Sequence, residues 1–208
     1  GIKHLIIDLQ GNRGGSISTS TELLRHTLQD SCCYQLRRKL YEKPSFETHI
    51  ARGKLAFKPK GERRLLRKMR KNSKVCTEEN ELNISIYPSE KNHFDGQIYV
   101  LTDGGSYSAA AMVSAFLQDK GRATIIGQET GGAKDQFSAI LSPLIRLPNT
   151  ACTLFVPLYH VNLQLQTQNF GRGVQADIST QPSLEDMLRG RDLALKEAMR
   201  LLNEAKKR

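Results

Sequence analysis

Gly104-Gly105-Ser106-Tyr107-Ser108-Ala109-Ala110-Ala111-Met112 opens a stretch that continues through an apolar helical segment to Gly121-Arg122-Ala123-Thr124-Ile125-Ile126-Gly127-Gln128-Glu129-Thr130-Gly131-Gly132. Directly before it, Gln97-Ile98-Tyr99-Val100-Leu101-Thr102 is a short apolar run of the kind that forms a buried strand. The order is therefore strand, Gly-rich turn bearing serines, helix, loop, strand, Gly-Gly loop. Ser108 falls where the turn becomes the first turn of the helix. A serine there lies at the C-terminal end of a strand, and the unpaired amides of the helix start face whatever its hydroxyl attacks. Spacing alone also fits a commoner role, an N-cap whose hydroxyl accepts a bond from an amide two or three residues on.

Upstream, Ile2-Lys3-His4-Leu5-Ile6-Ile7-Asp8-Leu9 reads as another buried strand, running into Gln10-Gly11-Asn12-Arg13-Gly14-Gly15. Glycines at that density serve either an ordinary strand-to-helix turn or a close backbone approach to a substrate oxygen. Thr19 and Glu22 have capping-box spacing for a helix to about Asp30, with Leu23, Leu24, Thr27 and Leu28 inward. Downstream, residues 137–147 and 152–161 read as two strands joined by Pro148-Asn149-Thr150, and Gly171-Arg172-Gly173-Val174 as a turn. Ser183 starts a short helical segment. Asp192 to about Ala205 reads as an amphipathic helix with Leu193, Leu195, Ala198, Leu201 and Leu202 on its apolar face.

Residues 34–95 are the least patterned part, with strands expected at 47–57 and 82–87. Between them lies a cationic run of Lys58, Lys60, Arg63, Arg64, Arg67, Lys68, Arg70, Lys71 and Lys74, opposed only by Glu62. A solvated surface helix is the plain reading, and contact with an anionic surface the sharper one. No aromatic residue interrupts the run, so the stacking platforms of single-strand nucleic-acid binders are missing and no nucleic-acid partner is expected. The chain has 208 residues, a net charge of +10, 38% hydrophobic and 25% charged residues, and no apolar run of membrane-spanning length. Cys32, Cys33, Cys76 and Cys152 have neither zinc-ligand nor disulfide-scaffold spacing, and no metalloprotease motif or phosphate-cradling Gly-x-x-x-x-Gly-Lys loop is present, so no metal and no cofactor is expected. Without a repeat or a low-complexity linker, residues 1–208 count as one domain with a basic insertion at about 34–93.

Four blocks in order resemble the tail-specific (carboxyl-terminal processing) serine peptidase family. They are Leu5–Gly15 with its Asn12-Arg13-Gly14-Gly15 loop, Phe94–Thr102 with Ser106–Ala110, Gly121–Gly132, and Leu147-Pro148-Asn149 through Gly173-Val174-Gln175-Ala176-Asp177, where relatives have proline at Ala176. Gly190-Arg191-Asp192 fits the family's entry to a last helix. The resemblance implies an α/β fold of the crotonase and Clp-protease type, a spiral of strand-strand-helix units, of which this chain is the C-terminal portion. It implies a peptide or protein substrate cut through an acyl-enzyme on Ser108. The amide of Ala109, with that of Gly14 or Gly15, would form the oxyanion hole. By family habit a periplasmic or envelope location follows.

Two departures mark this chain. The family's Ser-Lys branch carries its general base after Thr-Phe-Gly, whereas here Thr130-Gly131-Gly132 is followed by Ala133, and Lys134 comes one residue late, on the opposite side of an extended segment. Thr-Gly-Gly resembles instead the tricorn and retinoid-binding branch, whose peptidases take a histidine from earlier sequence. The base is thus Lys134, one of His4, His26, His49, His93 and His160, or a residue upstream of Gly1. Ala111 also stands where an acidic residue is common. The competing expectation is a catalytically silent member that holds peptide or lipid in the same cleft.

Overall fold

Residues 1–38, 67, 73–78, 81–139, 144–147, 149–155, 157 and 159–205 are described by a computed structural model. In chain order the elements are β1 (His4–Asp8), α1 (Ile17–Thr27), β2 (Cys32–Arg38), β3 (Lys74–Glu78), β4 (Glu81–Ile86) and β5 (Gln97–Thr102). There follow α2 (Ala109–Asp119), β6 (Ala123–Gly127), β7 (Gln136–Ala139), β8 (Leu144–Arg146) and β9 (Thr153–Phe155). The chain closes with β10 (Tyr159–Gln164), β11 (Ile178–Ser179), α3 (Leu184–Leu188) and α4 (Leu193–Ala205).

The expected apolar runs become β1, β5 and β6 of a parallel sheet in the order β1-β5-β6-β11, with the two-residue β11, not foreseen, at its edge. Strands β1, β5 and β6 are apolar at consecutive positions because both faces of the sheet are covered. Ile98, Val100 and Ile125 point to one side with Leu5 and Ile7, into the main core. Tyr99, Leu101 and Ile126 point to the other with Ile6, where Ala194 and Ala198 of α4 meet them. The second sheet, in the order β3-β4-β2-β10-β7, is antiparallel. Here the pattern alternates, because only one face is dry: Leu82, Ile84 and Ile86 of β4 and Tyr159, Val161 and Leu163 of β10 are buried. Cys32, Tyr34 and Leu36 of β2 sit between them in register. Helices α1 and α2 share the main core with the inward faces of both sheets. The result is α/β: a parallel sheet with helices, backed by an antiparallel one.

Several expectations shift in detail. The cap of α1 is Ser16, whose hydroxyl accepts the Thr19 N–H, so Thr19 lies inside the first turn and the helix stops at Thr27. Leu24, Thr27 and Leu28 are buried as expected, with Leu23 packed at the margin. Each of the two long strands predicted over 137–147 and 152–161 is split. The first parts into β7 and β8 and the second into β9 and β10. β7 and β10 pair in the large sheet, and β8 and β9 pair in a separate hairpin. In α4 the inward residues are Ala194 and Ala198, while Leu195 is turned outward. The strand expected at 82–87 is β4. The strand expected at 47–57, and the cationic run except Arg67 and Lys74, lie outside the described residues. Among the described residues, no helix is long and apolar enough to cross a membrane.

Candidate active site

The turn after β5 and the loop after β1 are folded onto each other by hydrogen bonds that begin at Asp103. Its Oδ1 accepts the Gly11 N–H at 2.8 Å and the Gly105 N–H at 2.9 Å. Ser106, fully buried, donates its hydroxyl to the Leu9 carbonyl at 2.7 Å, and Tyr107 N–H donates to the Asn12 carbonyl at 2.9 Å. Ser106 is therefore spent on joining the two loops. Ser108, next but one, is free of that duty.

Ser108 occupies the N-cap position of α2 but does not cap it. Its backbone stands at φ 53 and ψ −120, far from the extended geometry of an ordinary cap, and its side chain makes no cap hydrogen bond. A non-glycine residue in that region carries strain of about 1–3 kcal/mol, and it persists only where the surroundings over-determine it. Those surroundings are two glycines. A Cβ on Gly14 would stand 2.8 Å from the Ser108 Cβ, 2.8 Å from the Ala109 nitrogen and 2.7 Å from the Tyr107 oxygen. A Cβ on Gly132 would stand 2.9 Å from the Ser108 nitrogen and 3.0 Å from the Ala111 Cβ. Bare backbone thus meets Ser108 on both sides.

Of the residues singled out by sequence, Ser108, Ala109 and Gly14 are brought together. Gly14 also has φ 86, and its N–H is taken by the Asn12 side chain at 2.9 Å. Gly15, its neighbour, is exposed. Four of the candidate bases are bonded to other groups. Lys134 Nζ is 3.3 Å from Thr167 Oγ1. His160 Nε2 is 2.9 Å from Gln136 Oε1, His26 meets Glu22 and the Asn92 carbonyl, and His93 meets Asp95 and the Leu28 carbonyl. His4 is on β1 with its Nδ1 buried, and His49 lies outside the described residues. Burial pushes the Cys32 thiol up to about 12, reinforced by Cys33, so that sulfur stays a thiol and is no nucleophile. Among the described residues, no group of His, Cys, Asp and Glu could hold a metal ion.

Thr130, noted in the sequence only as the head of the Thr-Gly-Gly triplet, is a buried junction under the site. Its hydroxyl donates to the Gly132 carbonyl at 2.8 Å and accepts the Val174 N–H at 2.8 Å. Thr130→Val keeps the shape and strands both partners, so a loss of about 1–3 kcal/mol is expected. In a protein of this size that is a melting temperature lower by roughly 2–4 °C per kcal/mol, read by calorimetry. An unchanged melting temperature would show that the junction is not needed.

A family model described as peptidase family S41 matches residues 1–180. A carboxy-terminal-processing protease of Bartonella bacilliformis is 38% identical over 101 residues, 49% of this chain and 22% of that protein. Among solved structures, mature CPAF complexed with lactacystin is similar at a TM-score of 0.63 and 19% identity, over 98% of this chain and 44% of that one. A lipoprotein from Streptococcus agalactiae is similar at a TM-score of 0.55 and 16% identity, over 99% of this chain and 56% of that one. The matches to this chain thus span roughly half, or less, of those proteins. At such identities the structural likeness speaks for the fold alone.

Proposed function

The chain belongs to peptidase family S41, and from that premise we propose that it is a serine peptidase cutting peptide bonds through an acyl-enzyme on Ser108. The observation that carries the reading is the strained, uncapped Ser108 at the head of α2, wedged between Gly14 and Gly132. In the first step Ser108 Oγ bonds to the scissile carbonyl carbon, and the carbonyl electron pair moves onto oxygen. The amides of Ala109 and Gly15 stabilise that oxygen, since Gly14 N–H is engaged by Asn12. Gly14 contributes by having no side chain. The tetrahedral intermediate then collapses, the amine leaves with a proton, and water hydrolyses the ester.

The proton acceptor is assigned to a side chain beyond the described residues. The bonds already held by Lys134, His26, His93 and His160 support that assignment. The relative named for carboxy-terminal processing supports a protein substrate cut near its C-terminus, and an envelope location. The test is a fluorophosphonate probe on the full-length protein, followed by mapping of the adduct. An adduct on the peptide carrying Ser108 is expected. Peptide turnover with the adduct on another serine would remove Ser108 from the role.

A further inference from the structure

Behind Gly131 and Gly132 lies a layer that the reaction as drawn does not use. Glu129 faces Arg172 in a bidentate pair, Nε to Oε1 at 3.0 Å and Nη2 to Oε2 at 2.7 Å. The same Oε1 accepts the Gly173 N–H at 2.7 Å. From this anchor two segments are laced together. Lys134 N–H donates to the Arg172 carbonyl at 2.8 Å, Ala133 pairs with Gly173, and Thr130 N–H donates to the Val174 carbonyl at 3.1 Å. The lacing holds Gly132, whose N–H donates to the Ser106 carbonyl at 3.0 Å and whose bare Cα faces the Ser108 nitrogen. Contact is continuous from guanidinium to carboxylate, loop, glycine and serine.

We propose that the Glu129–Arg172 pair is a positioning device for Ser108, fixing Gly132 against its backbone without touching substrate. This rests on the reading of Ser108 as nucleophile. The two sides of the serine are then held differently. Gly14 is tied by the local Asn12 turn, and Gly132 by a clasp whose halves are 43 residues apart in sequence. A planar guanidinium fork fixes orientation as well as distance, which a point charge does not. Exposed ion pairs add little to stability, so removing this one is expected to move catalysis more than melting. Hydrogen bonds from Arg172, then from Gln175 and Gly173, pull the Glu129 carboxyl down to about 2. A carboxylate depressed in the folded state stabilises fully above its ordinary value of 4.5 and is lost only as pH falls toward about 2. The clasp is therefore intact wherever peptide turnover is assayed.

The test measures fluorophosphonate labelling rate, kcat, KM and melting temperature for wild type, Arg172→Ala, Arg172→Lys and Glu129→Gln in the full-length protein. A displacement of the order of 1 Å at a reacting group costs up to roughly 100-fold, so Arg172→Ala and Glu129→Gln are expected to slow labelling and kcat by about 10-fold or more. KM should stay within about two-fold, the melting temperature within roughly 4 °C, and the defect should be equal at mildly acid and mildly alkaline pH. Arg172→Lys should recover only part of the rate. Labelling at the wild-type rate in both Arg172→Ala and Glu129→Gln overturns the proposal, as does a fall in kcat that merely tracks lost folded protein. A wild-type chain that takes no label at Ser108 fails at the earlier step, on the nucleophile itself.

Discussion

A Ser108→Gly chain is expected to lose peptide turnover and to melt higher than the wild type. The first half follows from chemistry: removing the nucleophile of a serine peptidase typically costs 10³-fold or more in kcat, up to about 10⁶-fold. The second follows from the backbone. Serine at φ 53 and ψ −120 is held in a region that glycine enters freely. Relief of about 1–3 kcal/mol of strain exceeds the roughly 0.5–1 kcal/mol of extra chain entropy that glycine loses on folding. A net gain of about 1 kcal/mol corresponds to roughly 2–4 °C in a protein of this size. Ser108→Ala should be equally inactive yet close to wild type in stability, because alanine keeps the strain and no cap bond is lost. The cap reading gives the reverse order, with alanine about 1 kcal/mol less stable than serine and glycine lower by a few tenths. Calorimetry beside a peptide assay separates the two. Both variants melting lower while turnover persists would end the nucleophile reading.

What could be read in advance is what depends on neighbours in sequence. The strands β1, β5 and β6 were legible because a sheet covered on both faces leaves an uninterrupted apolar run. Helix α2 was legible for the same reason, since Ala109 through Leu117 are all buried. Capping spacing misplaced the start of α1, because Thr19 and Glu22 satisfy the same local pattern as Ser16 and Thr19 do in space. A period of two also cannot say when a strand changes partner, which is why β7–β8 and β9–β10 looked like single strands. β2 carries a clear alternation, Cys32, Tyr34 and Leu36, yet its partner β4 begins only at Glu81. At the site, Ser108 and the glycine loops showed in motif order. Asn12 and Thr130 showed only as motif letters, and the Glu129–Arg172 pair not at all, because what each does is a contact made across a loop or across the chain.

Gly14→Ala is expected to be the most damaging change that removes no reacting atom. Two separate effects meet there. At φ 86 any L side chain is strained, by about 1–2 kcal/mol. A methyl group would also lie 2.8 Å from the Ser108 Cβ and from the Ala109 nitrogen, and 2.7 Å from the Tyr107 oxygen, distances that backbone atoms cannot yield without moving the serine. Gly11 divides the two effects. It has φ 64 and nothing within 4 Å of where its Cβ would be, so Gly11→Ala carries the strain without the collision. Gly11→Ala should therefore lose roughly 1–2 kcal/mol, and Gly14→Ala that amount plus about 1–3 kcal/mol for relieving the collision. Only Gly14→Ala should also lose kcat/KM by about 10²–10³-fold, the size of a displaced nucleophile or a lost oxyanion donor. Equal activity in the two would mean that the glycine face against Ser108 is a packing detail. A gap in activity that persists when both variants are assayed fully folded, well below their melting temperatures, would mean that this face sets the geometry on which the chemistry turns.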